Sequence, residues 1–354
     1  MKMSFRRGQT ARWTVALSAA ALLTLAACGS ETEDEGSGSG GEADFGALTV
    51  QLSWVKNAEF AGEFMADSKG YFADAGFSSV KLNAGPGATE NLVASGKADF
   101  GLTNAVTAAQ VITQEDAPLK IVGTTYQKNP FTILSRKDKG NIATPADLKG
   151  KKIGVQAGGN EILFKALLSA NDIKEDEVTI VPVEYDPAPL VNKEVDGFVA
   201  YLTNESILVA SQGIEVTNLP FADNGLPFVA ESIIATDQTI KDEPEMVKAF
   251  LEAEIKGWKD ACADLEEGAR LAVEEYGKDL KLEMPKEIEQ NTVQCEDLIN
   301  TDETAENGIF TISDELLAEN LKSLAGAGID VEADEVFDLS LLDELYEEKP
   351  DLKG

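Results

Sequence analysis

Trp54, Asn57 and Glu59 lie close together in the sequence, and their side chains could hold a small ring compound. An indole offers a flat apolar face, an amide both donates and accepts hydrogen bonds, and a carboxylate accepts them. These residues join a strand-like alternation over 48–54 to apolar residues at helical spacing over 60–65. Ligands bind outside the carboxyl ends of strands in open α/β sheets, so this segment predicts one wall of a ligand site. The alternative is that Trp54 is a core residue and Glu59 a solvated acid.

A second candidate segment contains the glycine pair Gly158 and Gly159. The pair separates a predicted strand over 152–156 from a predicted helix over 162–170, and it could let backbone N–H groups approach a ligand closely. The segment matches neither the Walker A motif nor G-x-G-x-x-G, so the sequence gives little support for nucleotide binding. An ordinary turn is the alternative.

Short apolar strands alternate with helical patterns along most of the chain, which predicts an α/β fold with parallel sheets. The strands are predicted at 80–83, 98–102, 119–124, 152–156, 178–185, 195–202 and 231–236. Their order predicts a first lobe over 45–136, a second lobe over 137–228, and a return to the first lobe with C-terminal helices over 229–354. Connections near 135–140 and 222–231 would form a hinge, so the lobes could close around a ligand in the cleft.

The chain contains no histidine, which removes histidine-based acid–base catalysis, Ser-His-Asp and Cys-His arrangements, and histidine-ligated metals. Besides Cys28, its cysteines are Cys262 and Cys295, too few for a thiolate zinc site. We expect no catalytic residues, no metal and no cofactor. An exported protein permits a disulfide between Cys262 and Cys295, and two separate buried thiols are the alternative.

The N-terminal residues predict export and a lipid anchor. Four basic residues precede a short apolar run, and residues 1–27 end in small residues just before Cys28, as in a secretory signal peptide. Leu25 to Cys28 resembles a bacterial lipobox, in which the signal is cut before the cysteine and the cysteine is lipidated. Residues 28–44 are rich in glycine, serine and acids, which predicts a flexible tether. The predicted location is the outer face of the cytoplasmic membrane.

The formal charge of the chain is −33, and removing the four cations of residues 1–27 brings it to −37. Such an acidic protein is a poor partner for nucleic acid or for an anionic membrane surface. An anionic ligand would therefore need local lysine or arginine, and the candidate segments contain only Lys56.

Five segments carry a family resemblance. They are W-x-x-x-A-E-F-A-G-E-F-x-A-x-x-x-G-Y-F from Trp54, A-D-F-G from Ala98, D-L-K-G-K-K-I-G-V from Asp147, V-D-G-F-V-A-Y-L-T-N-E from Val195 and V-K-A-F-L-E-A-E-I-K-G-W from Val247. Together they resemble the NMT1/THI5-like substrate-binding proteins of ABC transporters over roughly residues 46–345. The third segment is common to many solute-binding proteins, whereas the first and fourth favour the branch that captures thiamine pyrimidine precursors.

The resemblance implies a two-lobed, type II periplasmic-binding-protein-like fold, with a mostly parallel sheet flanked by helices in each lobe and a two-strand hinge. It also implies a monomeric receptor that captures a thiamine pyrimidine, of the hydroxymethylpyrimidine or formylaminopyrimidine type, and delivers it to an ABC permease. Receptors for riboflavin-like compounds, or for aliphatic sulfonates or nitrate, are the alternatives. A pyrimidine synthase is disfavoured, because that enzyme class uses a histidine of its own chain and clustered cysteines.

The resemblance places ligand-binding residues on both lobes, with an aromatic side chain stacked on the ligand ring. Carboxylates would accept hydrogen bonds from an exocyclic amine, and amides would pair with ring nitrogens. The predicted site residues are Trp54, Asn57, Glu59, Phe60 and Tyr126 from the first lobe, and Gln156, Gly158, Asn160, Tyr185, Asp186, Tyr201, Asn204 and Glu205 from the second.

Overall fold

The computed structural model describes residues 44–353. The predicted signal peptide, Cys28 and all but the last residue of the predicted tether lie outside these residues. The described chain forms ten strands: β1 (Gly46–Gln51), β2 (Phe77–Asn83), β3 (Phe100–Thr103), β4 (Leu119–Tyr126), β5 (Phe131–Arg136), β6 (Lys152–Val155), β7 (Thr179–Pro182), β8 (Gly197–Tyr201), β9 (Val216–Pro220) and β10 (Ala230–Thr236).

The described chain also forms fifteen α-helices: α1 (Ala61–Ser68), α2 (Tyr71–Asp74), α3 (Thr89–Ala94), α4 (Ala105–Glu115), α5 (Gly159–Ala170), α6 (Ala188–Val191), α7 (Glu205–Ser211), α8 (Asp237–Asp242), α9 (Pro244–Ala263), α10 (Leu265–Arg270), α11 (Met284–Gln294), α12 (Asp302–Asn307), α13 (Asp314–Gly326), α14 (Ala333–Val336) and α15 (Ser340–Glu348). Short π-helical turns extend α10 over Leu271–Tyr276 and α11 over Cys295–Ile299. The 3₁₀ turns are Ala58–Phe60, Pro145–Leu148, Glu175–Glu177, Ala222–Asn224 and Pro350–Leu352.

Two five-stranded sheets form the two lobes, in the orders β2-β1-β3-β10-β4 and β7-β6-β8-β5-β9. Four of the eight neighbouring strand pairs are parallel and four are antiparallel, because in each sheet one strand runs against the other four. β5 is antiparallel to β8 and β9, and β10 is antiparallel to β3 and β4. These are the two strands that follow the crossings between the lobes. The fold is α/β and two-lobed, with mixed sheets flanked by helices.

The boundary between the lobes lies earlier than the sequence predicts. β5 pairs with β8 and β9 in the second sheet, so the chain crosses between β4 and β5, over residues 127–130. The predicted hinge at 135–140 is therefore wrong, because that segment is a turn of the second lobe in which Arg136 Nε lies 2.8 Å from Asp138 Oδ1. The return crossing spans 221–229, between β9 and β10, close to its predicted place.

The helices behind the first sheet fix the loop that carries Trp54 and Glu59. α1 packs closely on α9, since a Cβ at Gly62 would lie 2.3 Å from the Trp258 indole and a Cβ at Gly257 would lie 2.2 Å from the Gly62 carbonyl oxygen. A disulfide joins Cys262, in α9, to Cys295, at the end of α11. The tight α1–α9 contact holds the start of α1, and with it the 3₁₀ turn that precedes it.

In residues 44–353, each helix is too short or too polar to cross a membrane. The same residues contain no cluster of three or more histidine, cysteine, aspartate or glutamate side chains placed to bind a metal ion.

Candidate functional site

A cavity of about 220 Å³ lies between the lobes and is lined by residues of both. It sits where the chain leaves β1, β2 and β3 in the first lobe and β6, β7 and β8 in the second. Three helices, α4, α5 and α7, begin at its wall with Asn104, Gly159 and Glu205. Helix N-termini carry unpaired N–H groups and partial positive charge, which makes this a favourable place for the acceptor side chains that line the cavity.

The wall of the first lobe is built by the 3₁₀ turn after β1. Asn57 Oδ1 accepts a hydrogen bond from the Glu59 backbone N–H at 3.1 Å and so begins this turn. The next backbone groups are held from α11, because the Ala58 N–H donates to Glu287 Oε2 and the Ala58 carbonyl accepts from Gln294 Nε2, both at 2.7 Å. These contacts fix the backbone that leads into Glu59, which lines the cavity.

The wall of the second lobe is built by polar side chains at the ends of β6 and β8. Gln156 Nε2 donates to the Val199 carbonyl at 3.0 Å, and its Oε1 accepts from Asn160 Nδ2 at 2.9 Å. Glu205 Oε2 accepts from the Tyr201 backbone N–H at 2.8 Å. Both oxygens of Glu205 have N–H partners, since its Oε1 accepts from Asn204 at 2.8 Å, and this fixes the carboxylate at the cavity.

Two aromatic side chains meet across the cleft. The rings of Trp54, from the first lobe, and Tyr185, from the second, make an edge-to-face contact with centroids 4.6 Å apart. Tyr185 is 38% exposed, so this pair lies at the mouth of the cavity. Such contacts stabilise by about 0.5–1.5 kcal/mol beyond burial, and the pair can exchange this contact for stacking on a flat ligand.

Beside the cavity, the carboxyl groups of Glu59 and Glu231 are both buried and interact with each other, and a hydrogen bond between them requires a proton on one of them. Burial raises the pKa of Glu231 to about 7. Burial, and then the charge of Glu231, raise the pKa of Glu59 well above its usual value. Ser53 Oγ donates to Glu231 Oε2 at 2.8 Å, which favours the charge on Glu231 and the proton on Glu59.

The acidic character extends into the core of the first lobe. Burial raises the pKa of Glu63 to about 8, and burial followed by the charge of Glu63 raises the pKa of Glu254. At the cavity itself, burial also raises the pKa of Glu205, against the hydrogen bond from the Tyr201 N–H. Some of these buried carboxyl groups are therefore protonated at near-neutral pH.

Over residues 44–353, the cavity is lined by three glutamates, Glu59, Glu90 and Glu205, and by no lysine or arginine. Lys286 lies just behind this lining, with Nζ 2.7 Å from Asn204 Oδ1. The lining offers hydrogen-bond acceptors and negative charge, which suits a ligand rich in N–H or O–H donors.

The structure brings many of the predicted site residues together. Those that line the cavity are Trp54, Glu59, Gln156, Asn160, Tyr185, Tyr201, Asn204 and Glu205.

The other predicted residues lie outside the lining and have structural contacts. Asn57 begins the 3₁₀ turn, and Phe60 is fully buried in the core of the first lobe. Tyr126 is also fully buried, and its hydroxyl donates to Gln294 Oε1 at 2.7 Å. Gly158 precedes α5 with a φ of +84°, whereas Asp186 is exposed and accepts a hydrogen bond from the Ala188 N–H at 2.8 Å.

Several lining residues are absent from the prediction. They are Ser53, Pro86, Gly87, Thr89, Glu90, Leu102, Thr103, Asn104, Thr107, Phe131, Gly159, Val199 and Ala200. The sequence does contain a signal for part of this set. The residues after β2 and β3 follow the carboxyl ends of predicted parallel strands, where ligands bind in such sheets. Glu231 and Lys286 gave no such signal, since neither lies at a strand's carboxyl end.

Comparison with known proteins shows which protein family this chain resembles. Residues 57–267 match the family model described as NMT1/THI5 like. The riboflavin-binding protein RibY of Chloroflexus aurantiacus is 27% identical over 64% of this chain and 66% of its own length. The formylaminopyrimidine-binding protein of Halalkalibacterium halodurans is 25% identical over 68% of this chain and 72% of its own length.

Similarity extends to an enzyme and to solved structures. A yeast protein of Saccharomyces cerevisiae, named 4-amino-5-hydroxymethyl-2-methylpyrimidine phosphate synthase, is 25% identical over 61% of this chain and 67% of its own length. The periplasmic nitrate-binding protein NrtA of Synechocystis has a similar structure, with a TM-score of 0.63 at 13% identity, covering 87% of this chain and 91% of its own. This second likeness shows the fold alone.

Proposed function

Because the chain belongs to the NMT1/THI5-like family and has the two-lobed fold of solute-binding receptors, we propose that it is the extracytoplasmic receptor of an ABC importer. Its ligand in this proposal is a small heteroaromatic vitamin precursor, of the thiamine pyrimidine type. The ligand enters the cleft, the lobes close on it, and a membrane permease receives it from the closed receptor.

The observation that carries this proposal is the lining itself, which combines Trp54 and Tyr185 with the carboxyl groups of Glu59 and Glu205. The exocyclic amine of an aminopyrimidine can donate to a carboxylate, and its ring can stack on an indole. Hydrogen bonds to a charged group contribute about 1.5–3 kcal/mol each. The amides of Gln156 and Asn160 can pair with ring nitrogens.

The size of the site also supports a small ligand. The cavity of about 220 Å³ lies just below the usual range for ligand pockets, about 300–1,000 Å³. A single six-membered ring with short substituents suits such a space better than a three-ring flavin with a polyol chain.

A receptor for a riboflavin-like compound is the second candidate, favoured by the similarity to a protein named as riboflavin-binding. A flavin also carries a flat ring system and N–H and O–H donors. A sulfonate or nitrate receptor is disfavoured, because the lining holds three carboxylates without a lysine or arginine in residues 44–353. A pyrimidine synthase is disfavoured because the chain has no histidine to supply.

The location of the receptor is also part of the proposal. The signal-like N-terminus and the sequence before Cys28 support export and lipid anchoring, and the Cys262–Cys295 disulfide is typical of an oxidising compartment.

Isothermal titration calorimetry tests the ligand class. The purified domain is titrated with formylaminopyrimidine, hydroxymethylpyrimidine, riboflavin, an alkanesulfonate and nitrate. We expect one-to-one binding of an aminopyrimidine, and chromatography should recover it unchanged. Tight binding of riboflavin alone would replace the proposed ligand with the second candidate, and turnover of any compound would overturn the receptor proposal.

A further inference from the structure

Lys286 is a buried lysine that reaches from the helices of the first lobe to the second lobe. It lies in α11, which packs on the 3₁₀ turn of Ala58–Phe60, and only 8% of its side chain is exposed. Its Nζ donates to Asn204 Oδ1 at 2.7 Å. Asn204 precedes α7 of the second lobe, so this hydrogen bond joins the lobes at a point away from the two hinge connections.

The same lysine completes a chain of contacts between the two walls of the cavity. Within the first lobe, Nζ donates to Gln290 Oε1 and forms an ion pair with Glu287 Oε1 at 3.1 Å, and Oε2 of Glu287 accepts from the Ala58 N–H. Within the second lobe, Asn204 Nδ2 donates to Glu205 Oε1 at 2.8 Å. The residue next to Glu59 is thus connected to Glu205 through Lys286.

The chemistry of lysine fixes the direction of this chain. An ammonium group donates hydrogen bonds and cannot accept them, so Asn204 must turn its carbonyl oxygen to Lys286 and its amide nitrogen to Glu205. The amide then holds one carboxylate oxygen of Glu205 while the Tyr201 N–H holds the other. Each oxygen keeps a lone pair with which to accept a donor from a ligand.

We propose that Lys286 is a positioning residue that fastens the closed cleft through Asn204 and holds Glu205 as an acceptor for the ligand. The ligand part of this inference rests on the proposed receptor function. Opening of the lobes separates α11 from α7 and breaks the hydrogen bond. The bond therefore contributes to the closed form alone, and a contact of this kind slows ligand release.

Lys286→Met tests this role, because methionine keeps much of the length of the side chain and removes its charge and donors. With formylaminopyrimidine as the probe, we expect the dissociation rate to rise about tenfold, the lower end of the effect of losing a hydrogen bond to a charged group. The association rate should change little. The matched control is Lys256→Met, since Lys256 in α9 pairs with Glu252 at 2.7 Å within the first lobe.

A double-mutant cycle with Asn204→Ala separates positioning from a general structural effect. If Lys286 acts through Asn204, the double variant should release the probe little faster than Asn204→Ala alone. Fully additive effects would overturn the proposal. If Lys286→Met alone fails to fold, the release rate is measured on Lys286→Met combined with Glu287→Gln. This pair of substitutions removes both buried charges and keeps an acceptor for the Ala58 N–H.

Small-angle scattering of the ligand-free protein provides a test that needs no ligand. Loss of the interlobe hydrogen bond should increase the radius of gyration of Lys286→Met relative to both wild type and Lys256→Met. Equal radii would overturn the fastening role. If the wild type binds no probe, the proposed ligand is wrong, and the scattering result still decides whether Lys286 joins the lobes.

Discussion

The carboxyl pair of Glu59 and Glu231 makes the stability of the protein depend on pH. The pKa of Glu231 is raised by burial from 4.5 to about 7. Below pH 4.5 the folded and unfolded chains both hold this proton, so burial carries no ionisation cost. As the pH rises toward 7, the unfolded chain releases the proton while the folded chain retains it, and the free energy of unfolding falls.

The size of this pH dependence follows from the pKa shift of Glu231. One pH unit corresponds to about 1.4 kcal/mol, so Glu231 lowers the free energy of unfolding by up to about 3 kcal/mol between the acid limit and pH 7. Both carboxyl groups are at most 2% exposed, so solvent screens this effect little. Glu63, whose pKa burial raises to about 8, extends the same decline to higher pH.

Glu231→Gln removes this titration and keeps an acceptor for Ser53. Urea denaturation at pH 5, 6, 7 and 8, with the disulfide intact, should show a smaller loss of stability between pH 5 and 7 than in wild type. The difference in slope is at most about 1.4 kcal/mol per pH unit. Glu161→Gln, which alters an exposed ion pair with Lys165, is the control and should leave the slope unchanged. A Glu231→Gln slope equal to that of wild type would show that Glu231 does not cause the loss of stability between pH 5 and 7.

Three further predictions concern the ligand, the disulfide and the anchor. Trp54→Ala should weaken aminopyrimidine binding by at least about 1 kcal/mol through lost stacking, and Glu205→Gln should weaken it by about 1.5 kcal/mol or more. Calorimetry measures both affinities, and neither variant should unfold. Wild-type affinity in both variants would remove these residues from the site. Cys262→Ser with Cys295→Ser should lower the free energy of unfolding by about 3–4 kcal/mol on the chain-entropy model, and an unchanged denaturation midpoint would count against it. Cys28→Ala should release the full-length protein from membranes on fractionation, whereas unchanged retention would exclude lipidation at Cys28.

The α/β class and the two-lobed order could be predicted because buried parallel strands give short apolar runs between helical patterns. The sequence places the first crossing between the lobes too late, because the charged segment after β5 resembles a linker. Its charges instead pair within the second lobe, where Lys193 Nζ lies 2.8 Å from Asp138 Oδ2. Strand β9, Val216–Pro220, alternates too weakly to be found from apolar spacing.

The cavity lining was predicted best where a side chain directly follows a strand. Trp54, Gln156 and Tyr185 all lie just beyond strand ends, and all three line the cavity. Tyr126 also lies at a strand end, and Phe60 lies in the 3₁₀ turn that carries Glu59, but both side chains point into the core. Local sequence does not distinguish the two directions. Glu231 and Lys286 approach the site from distant parts of the chain, so only the tertiary structure brings them there.

A crystal structure of the protein with formylaminopyrimidine bound would decide whether the cavity between the lobes is the ligand site. We predict that the ring lies in the cavity between the lobes, next to Trp54, with its amine within about 3.2 Å of a carboxyl oxygen of Glu59 or Glu205. A ligand bound outside this cavity, or a ring inside it without contact to either carboxyl group, would contradict the proposed binding mode.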